Sequence, residues 1–375
     1  MYGQRTQVTG DADTAQRQGD GPWVAQASGY LTPGSTGTRH PRLSIVIPSF
    51  NGMRYLPACL SSAVAERSTI QPPAEILVID NGSTDDTVSF LQREHPIVRI
   101  LSLRSNRGFA EPCDLGIHAA QGEYCLLLNN DAWLAPGCLA SLLDFAEHGA
   151  YSFAGPAILN PDGTLQCGPM TIDFLGDPDQ KGQGWPPLYV SGAALLVRRS
   201  DYIQLGGFDC RFFAFYEEAD IQWRAQICGK RIGYTPSAGV YHHGGSTLAG
   251  ALVGPDETVT TSRQRLYLGR RNQLVMLLVN YSRRSLAWVL PVWLISALIE
   301  CLGAVVTGHT AHLRVYAAAI GWNCRNMPAT LTRRRTIQAS RVVPDRTVLK
   351  LFAHPFVRLR TALRLIQYGR RVLVQ

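Results

Sequence analysis

From Arg42 onward, apolar runs of strand length alternate with stretches of helical period, and each run stops in a cluster of small polar residues. Leu43 to Ile47 is a β-rich run that ends in Pro48-Ser49-Phe50-Asn51-Gly52, after which Leu56, Leu60 and Val64 recur at helical spacing. Glu75 to Ile79 is a second strand. It leads into Asp80-Asn81-Gly82-Ser83-Thr84-Asp85-Asp86, where Ser83 with Asp86 three residues on makes a capping-box-like helix start. Val98 to Leu103 predicts a third strand, Asp114 to Ala120 a helix, and Tyr124 to Leu128 a fourth strand. Pro136 to His148 reads as helix, Pro161-Asp162-Gly163 as a turn, and Tyr189 to Val197 and Tyr234 to Tyr241 as strands. Near-continuous apolar strands alternating with helices predict an α/β fold whose mostly parallel sheet is covered on both faces.

The fourth strand carries the first chemical signal. Leu126-Leu127-Leu128 runs into Asn129-Asn130-Asp131, so a carboxylate flanked by amides sits at a strand end. In open α/β sheets ligands collect beyond the carboxyl ends of the strands, and such oxygens suit Mg²⁺ or Mn²⁺ held with a phosphate-bearing substrate. The same three residues are also ordinary turn and cap chemistry, so their neighbours must decide.

Charge divides the chain. From Tyr281 to the end there are 15 Arg or Lys against 2 acids, whereas the remainder is mildly acidic with 21 basic and 26 acidic residues. Ser285 to Thr307 is apolar over about the length that crosses a bilayer, interrupted by Pro291 and Glu300. A spanning helix would bury Glu300; a helix lying in the interface or packed on the body would not. Arg333-Arg334-Arg335, Arg358, Arg360, Arg364, Arg370 and Arg371 among apolar residues fit amphipathic helices on an anionic membrane surface, where each basic residue contributes about 1 kcal/mol. No recognition-helix, zinc-finger or RNP-like motif accompanies the charge, so nucleic acid is not the expected partner. Nine cysteines without a CxxC pair read as reduced structural thiols. Residues 1–41 lack the apolar segment of a signal peptide and read as a disordered leader, and the protein as cytoplasmic, peripheral to the cytoplasmic face of the inner membrane.

Six motifs, in order, carry a resemblance: Ser44-Ile45-Val46-Ile47-Pro48-Ser49-Phe50-Asn51, Val78-Ile79-Asp80-Asn81-Gly82-Ser83-Thr84-Asp85, Asn106-Arg107-Gly108-Phe109-Ala110, Leu128-Asn129-Asn130-Asp131, Gly206-Gly207-Phe208-Asp209 and Tyr241-His242-His243-Gly244-Gly245-Ser246. Together they resemble a family 2 glycosyltransferase of GT-A fold, Rossmann-like in its sheet, in the rhamnosyltransferase-like group. Arg270-Arg271-Asn272 resembles a further family feature. The resemblance implies a catalytic domain over residues 42–272, with 273–375 a basic and apolar helical region associating with membrane. It also implies a nucleotide-sugar site made by Pro48, Ser49, Asn51, Asp80, Asn81, Ser83, Asn106, Gly108, Asn129 and Asn130. Asp131 takes the last position of the family's Asp-x-Asp metal motif, Asn129 standing where the first Asp would be, and His242 or His243 completes the shell of a Mg²⁺ or Mn²⁺ ion. The family's acidic pair reads Glu217-Glu218 here, with Glu218 the first candidate base and Glu217 and Asp220 the alternatives; Asp220 also stands one helical turn from Arg224.

The function this implies is inverting, metal-dependent transfer of a sugar, L-rhamnose from dTDP-rhamnose in the first instance or another sugar from a UDP-sugar, to a lipid-linked or polysaccharide acceptor. A second reading keeps the nucleotide-sugar-binding fold at the membrane without turnover. A dinucleotide oxidoreductase does not fit, because the first strand leads into Pro-Ser-Phe-Asn-Gly and not into G-x-G-x-x-G. Glu111-Pro112-Cys113-Asp114, where the family has small residues and an Asn, leaves the donor sugar open.

Overall fold

The computed structural model describes residues 41–182, 184–244, 252–253, 259–306, 311–353, 357 and 372–374. The expected leader up to residue 40, Gly245, Ser246, Arg358, Arg360, Arg364, Arg370 and Arg371 lie outside them.

The first half is built of β1 (Leu43–Ser49), α1 (Leu56–Arg67), β2 (Glu75–Asp80), α2 (Thr87–Glu94), β3 (Arg99–Ser102), α3 (Ala110–Ala119) and β4 (Tyr124–Leu128). Then come β5 (Ala132–Leu134), α4 (Cys138–His148), β6 (Phe153–Leu159), β7 (Leu165–Cys167), β8 (Met170–Ile172), β9 (Pro178–Gln180), β10 (Ala194–Arg198), α5 (Arg199–Gln204), α6 (Glu217–Ile227) and β11 (Ile232–His242). The main sheet runs β3-β2-β1-β4-β10-β6-β11-β5, with β7 on β6. Its β3-β2-β1-β4 half is parallel, while β10 runs antiparallel between β4 and β6, so the whole is a mixed sheet. Alternate residues of β1 enter different cores. Leu43, Ile45 and Ile47 pack with α1 and α4 residues, and Val46 packs with Ala110, Cys113 and Ile117 of α3 on the other face. Gly116 lets α3 approach β1 closely, because a Cβ there would stand 2.3 Å from Val46 Cγ1.

Two local expectations are corrected. The capping box at Ser83 does not form: its Oγ accepts from Asn51 N (2.9 Å), and α2 starts at Thr87, whose N donates to Asp85 Oδ1 (3.1 Å). The strand expected from Tyr189 begins only at Ala194, because Val190 gives both of its backbone groups to the Gln222 side chain on α6 (2.9 Å each) instead of to a strand.

The C-terminal helices are α7 (Arg263–Asn280), α8 (Arg283–Val306), α9 (Ala311–Arg325) and α10 (Met327–Ala339). The boundary expected after Asn272 falls inside α7. Val275, Met276, Leu277 and Val279 of α7 share a core with Trp223 of α6, Trp293 of α8 and Tyr316 and Trp322 of α9. Of the expected surface-binding charge, Arg333 and Arg334 turn inward. Arg334 Nη1 donates to Tyr281 O (2.6 Å), Gln338 to Val279 O (2.8 Å) and Asn280 O (3.1 Å), and Arg333 Nη2 to Gly207 O (2.9 Å), so α10 covers carbonyls at the end of α7. Glu300 is met by Arg270 Nη2 (3.4 Å) and the Tyr316 hydroxyl. Leu252–Val253, Val259–Thr261 and Val372–Val374 form a separate three-stranded sheet.

Candidate active site

A cleft of about 480 Å³ opens beyond the carboxyl ends of β1 and β4. Pro48, Ser49, Asn81, Asn106, Gly108, Asn129, Asn130, Asp131, Glu217, Glu218 and His242 line it, so residues from six separate motifs meet on one cavity. Asn51, Asp80, Ser83, Asp220 and His243 are absent from its lining.

The wall on the β1–β2 side is laced by side chains. Asn51 Oδ1 accepts from Thr84 N (2.8 Å) and its N donates to Ser83 Oγ (2.9 Å), which ties the two strand-end loops together, while Asp80 Oδ1 accepts from Ser83 N (3.2 Å) within the second loop. Asn81 spans to the next loop: its Nδ2 donates to Asn106 Oδ1 (3.0 Å) and Gly108 O (2.7 Å), and its Oδ1 accepts from Arg107 N (2.8 Å). A carboxylate there could not donate, which is the physical reason an amide replaces the second acid after Asp80.

Around Asp131 the donors face inward. Gln166 Nε2 donates to His242 O (3.1 Å) and Asn160 Oδ1 (2.9 Å), which directs its Oε1 at His242 Nδ1 (2.8 Å); the ring proton then belongs on Nδ1, and Nε2 presents a lone pair. That Nε2 stands 3.3 Å from Asp131 Oδ1 and accepts from Asn129 Nδ2 (3.3 Å), while the buried Asn129 Oδ1 meets no donor among the described residues. The facing lone pairs of Asp131 Oδ1 and His242 Nε2 are stabilised by a proton or a cation between them. A carboxylate and an imidazole backed by an amide could therefore hold a divalent ion here. Among the described residues no three His, Cys, Asp or Glu side chains converge as a metal cluster. His243 does not join them: its ring lies against Tyr55 (4.9 Å) and Trp133 (5.1 Å).

On the same cleft, α6 begins with Glu217 and Glu218 after a turn in which Phe213, Phe215 and Tyr216 all have positive φ (65°, 73° and 72°). Each such non-glycine residue costs on the order of 1 kcal/mol, so the turn is held from outside. Gly108 makes room for it, since a Cβ there would meet Phe213 O at 2.3 Å. Burial raises both carboxyls above the ordinary glutamate range. Glu217 is pushed further, by desolvation and then by the Glu218 charge, whereas a hydrogen bond from Glu217 lowers Glu218. Glu218, the less raised of the two and the one against Gly192 on the cleft, is the stronger candidate to act as base. Asp220 turns away: Oδ2 pairs with Arg224 Nη2 (2.8 Å) and Oδ1 accepts from Asn280 Nδ2 (2.7 Å), both groups buried.

Phe50, Phe109, Ser191, Gly192, Ala193, Phe213, Ala214, Phe215, Gln264 and Arg265, none of them expected as site residues, complete the lining. Gly192 lies against Glu218, 3.6 Å from where its Cβ would be, and Arg265 stacks on Phe215 at 4.9 Å. No local motif marks Ser191, Gly192, Gln264 or Arg265; the loop before β10 and α7 bring those four there.

A cleft at the strand ends of this α/β sheet, lined by Asp131, His242 and the Glu217–Glu218 carboxyl pair, is what a GT-A glycosyltransferase presents. A family model for Glycosyl transferase family 2 matches residues 44–206. The chain is 31% identical over 209 residues to the N-acetylglucosaminyl-diphospho-decaprenol L-rhamnosyltransferase of Mycobacterium tuberculosis, which covers 46% of this chain and 67% of that protein. The fold is similar to S. aureus TarS 1–349 in complex with UDP-GlcNAc, with a TM-score of 0.53 and 15% identity over 88% of this chain and 92% of that one. It is also similar to GalNAc-T7 with UDP, GalNAc and Mn²⁺, with a TM-score of 0.52 and 16% identity over 66% of this chain and 49% of that one. The chain belongs to glycosyltransferase family 2.

Proposed function

We propose that this enzyme is an inverting, divalent-cation-dependent transferase that moves L-rhamnose from dTDP-rhamnose onto a lipid-linked glycan. The observation that supports the reading is that Asp131, His242, Glu217 and Glu218 line one and the same cleft. The likeness to a rhamnosyltransferase whose name specifies a diphospho-decaprenol acceptor supports the donor sugar and the acceptor class.

Ser49, Asn81, Asn129 and Asn130 at the strand ends hold the nucleotide, with Asn51, Asp80 and Ser83 fixing the loops beneath it. Asp131 and His242 would hold Mg²⁺ or Mn²⁺, which when bound neutralises charge on the departing diphosphate. Glu218 takes the proton of the acceptor hydroxyl as that oxygen attacks the anomeric carbon. The carbon–oxygen bond to the diphosphate breaks on the opposite face, the electron pair leaves with the phosphate, and the anomeric configuration inverts. Glu217, kept protonated by burial, donates to Glu218 and leaves one negative charge in the pair.

An acceptor on a lipid fits the surface of α8. This 24-residue helix has a mean hydropathy of 2.2, long and apolar enough to cross a membrane. Its Val289, Trp293 and Ala297 are buried in the protein, while Trp288, Leu294, Ile295, Leu298, Ile299, Leu302 and Val305 are exposed. We assign that outer stripe to the interface of the cytoplasmic leaflet, with Arg283 and Arg284 at its start toward anionic headgroups.

The test is a donor screen with a lipid-linked acceptor extract and Mg²⁺ or Mn²⁺, following nucleoside diphosphate release and the anomeric configuration of the product by NMR. Transfer with inversion from dTDP-rhamnose in preference to UDP-sugars is expected. Nucleotide-sugar binding with no product from any donor would establish the non-catalytic reading instead.

A further inference from the structure

We propose that Arg271 and Asn272 are positioning residues for sugar transfer: from α7 they hold the Phe212–Tyr216 turn in the shape that delivers Glu218 to the cleft. The inference rests on Glu218 being the base. Neither residue lines the cleft, and both lie outside the segment matched by the family model.

The turn spends its carbonyls on these side chains. Asn272, fully buried, directs Nδ2 at Phe212 O (2.9 Å), Ala214 O (2.8 Å) and Phe215 O (2.8 Å). Arg271 Nη2 donates to Arg211 O (2.8 Å) and Phe212 O (2.7 Å). Phe213 O accepts from Phe109 N (2.5 Å) and Ala110 N (3.1 Å) at the start of α3. Five consecutive carbonyls, from Arg211 to Phe215, thus have donors outside the turn, and Tyr216 O accepts from Asp220 N (2.8 Å) in α6. The holders are themselves fixed. Arg271 Nε donates to Asn272 Oδ1 (2.9 Å), which points the amide nitrogen at the turn, and the guanidinium lies 4.5 Å over the Trp322 ring of α9. Asn323 Nδ2 donates to Arg271 O (3.1 Å).

Three positive-φ residues without a glycine among them do not take this course unaided, and released carbonyls would let the turn relax. The two glutamates follow Tyr216 directly, so relaxation moves them. Their adjacent neighbours Arg270 and Gln273 meet α8 at Glu300 and Trp293, so one turn of α7 ties the base to the rest of the C-terminal helices.

The test uses the full chain. Asn272→Asp keeps the size and removes the donor. With Mn²⁺ present, its affinity for UDP and dTDP by calorimetry should stay at the wild-type value, while kcat falls roughly 10²-fold, the scale of a base displaced by about 1 Å, with donor KM little changed. Hydrogen exchange should rise over residues 211–218 and not in β1 or β4. Gln338→Ala, which frees carbonyls at the other end of α7, is the structural control and should lower Tm without lowering kcat. Arg271→Lys, which keeps the charge and loses the fork, should shift kcat and exchange in the same direction. If Asn272→Asp does not fold, Arg271→Lys decides. Unchanged exchange over 211–218, or a kcat loss no larger than in Gln338→Ala, would overturn the proposal. Should the wild type transfer no sugar, the proposed function fails, while the exchange measurement still reports whether the two residues hold the turn.

Discussion

Glu217 and Glu218 share an enclosed corner in which two negative charges would face both desolvation and each other. Deprotonating the pair fully is therefore unfavourable, with two consequences. The acid limb of kcat/KM, which reports Glu218 losing its proton, should lie above the ordinary glutamate value of about 4.3. Glu217 has its folded-state value raised, so its contribution to stability is full below the unfolded value and is lost as pH rises through the folded one. Tm measured against pH should accordingly show Glu217→Gln gaining on the wild type as pH rises, and parallel curves would remove the argument. At Asn81 the amide both donates and accepts, so Asn81→Asp should weaken nucleotide binding by about tenfold or more through loss of the two donated bonds, worth about 1 kcal/mol each. A calorimetric titration with UDP or dTDP checks it. The same scale shows why some site residues were legible and others not. Asn129 to Asp131 are readable because a strand end and three oxygen-bearing side chains coincide in the text. Asp220 and Asp131 look alike as letters, yet Arg224 and Asn280 consume one of them. His242 and His243 are separated only by strand alternation, which turns one ring to the cleft and stacks the other on aromatics.

Among the elements, β1, β2 and β4 announce themselves because they are buried on both faces and so read as unbroken apolar runs. Residues 189–193, where Ser191 and Gly192 break the apolar run, are not strand, because the Gln222 side chain takes the Val190 backbone; pattern alone cannot see that long-range partner. α8 is the converse case. Its all-round apolarity hides two faces, one against Tyr316 and Trp322 and one exposed. Leu298→Asp with Ile299→Asp should abolish sedimentation with phosphatidylglycerol-containing vesicles and leave Tm within a few degrees, because both side chains are exposed; undiminished sedimentation would reject the interfacial seat. Asp173 sits under the β8–β9 turn, fully buried, accepting from Leu175 N (2.9 Å), Asp177 N (2.9 Å) and Val357 N (3.0 Å). Burial and then the Asp177 charge push its carboxyl up to about 6. Its contribution is thus present below the unfolded value near 3.9 and lost as pH climbs toward 6 and beyond, on the order of 3 kcal/mol at full extent. Unfolding midpoints between pH 4 and 7 should fall for the wild type and flatten in Asp173→Asn.

For the whole molecule, α7 is the member that joins the parts. It contributes Gln264 and Arg265 to the cleft, Arg271 and Asn272 to the base turn, and Val275 to Val279 to the core shared with α8 and α9. A chain cut before Tyr281 would uncover that core, so surface substitutions, not truncation, are the way to separate membrane seating from catalysis. The central claim is that Asp131 and Glu218 line a single nucleotide-sugar cleft and divide the work of transfer. The most direct measurement pairs single-turnover transfer with nucleotide affinity in Asp131→Ala and Glu218→Gln. Glu218→Gln should bind dTDP or UDP with Mn²⁺ as tightly as the wild type and lose transfer by roughly 10²- to 10⁴-fold, whereas Asp131→Ala should lose both the Mn²⁺ dependence of binding and transfer. Full transfer activity in both variants would contradict the account.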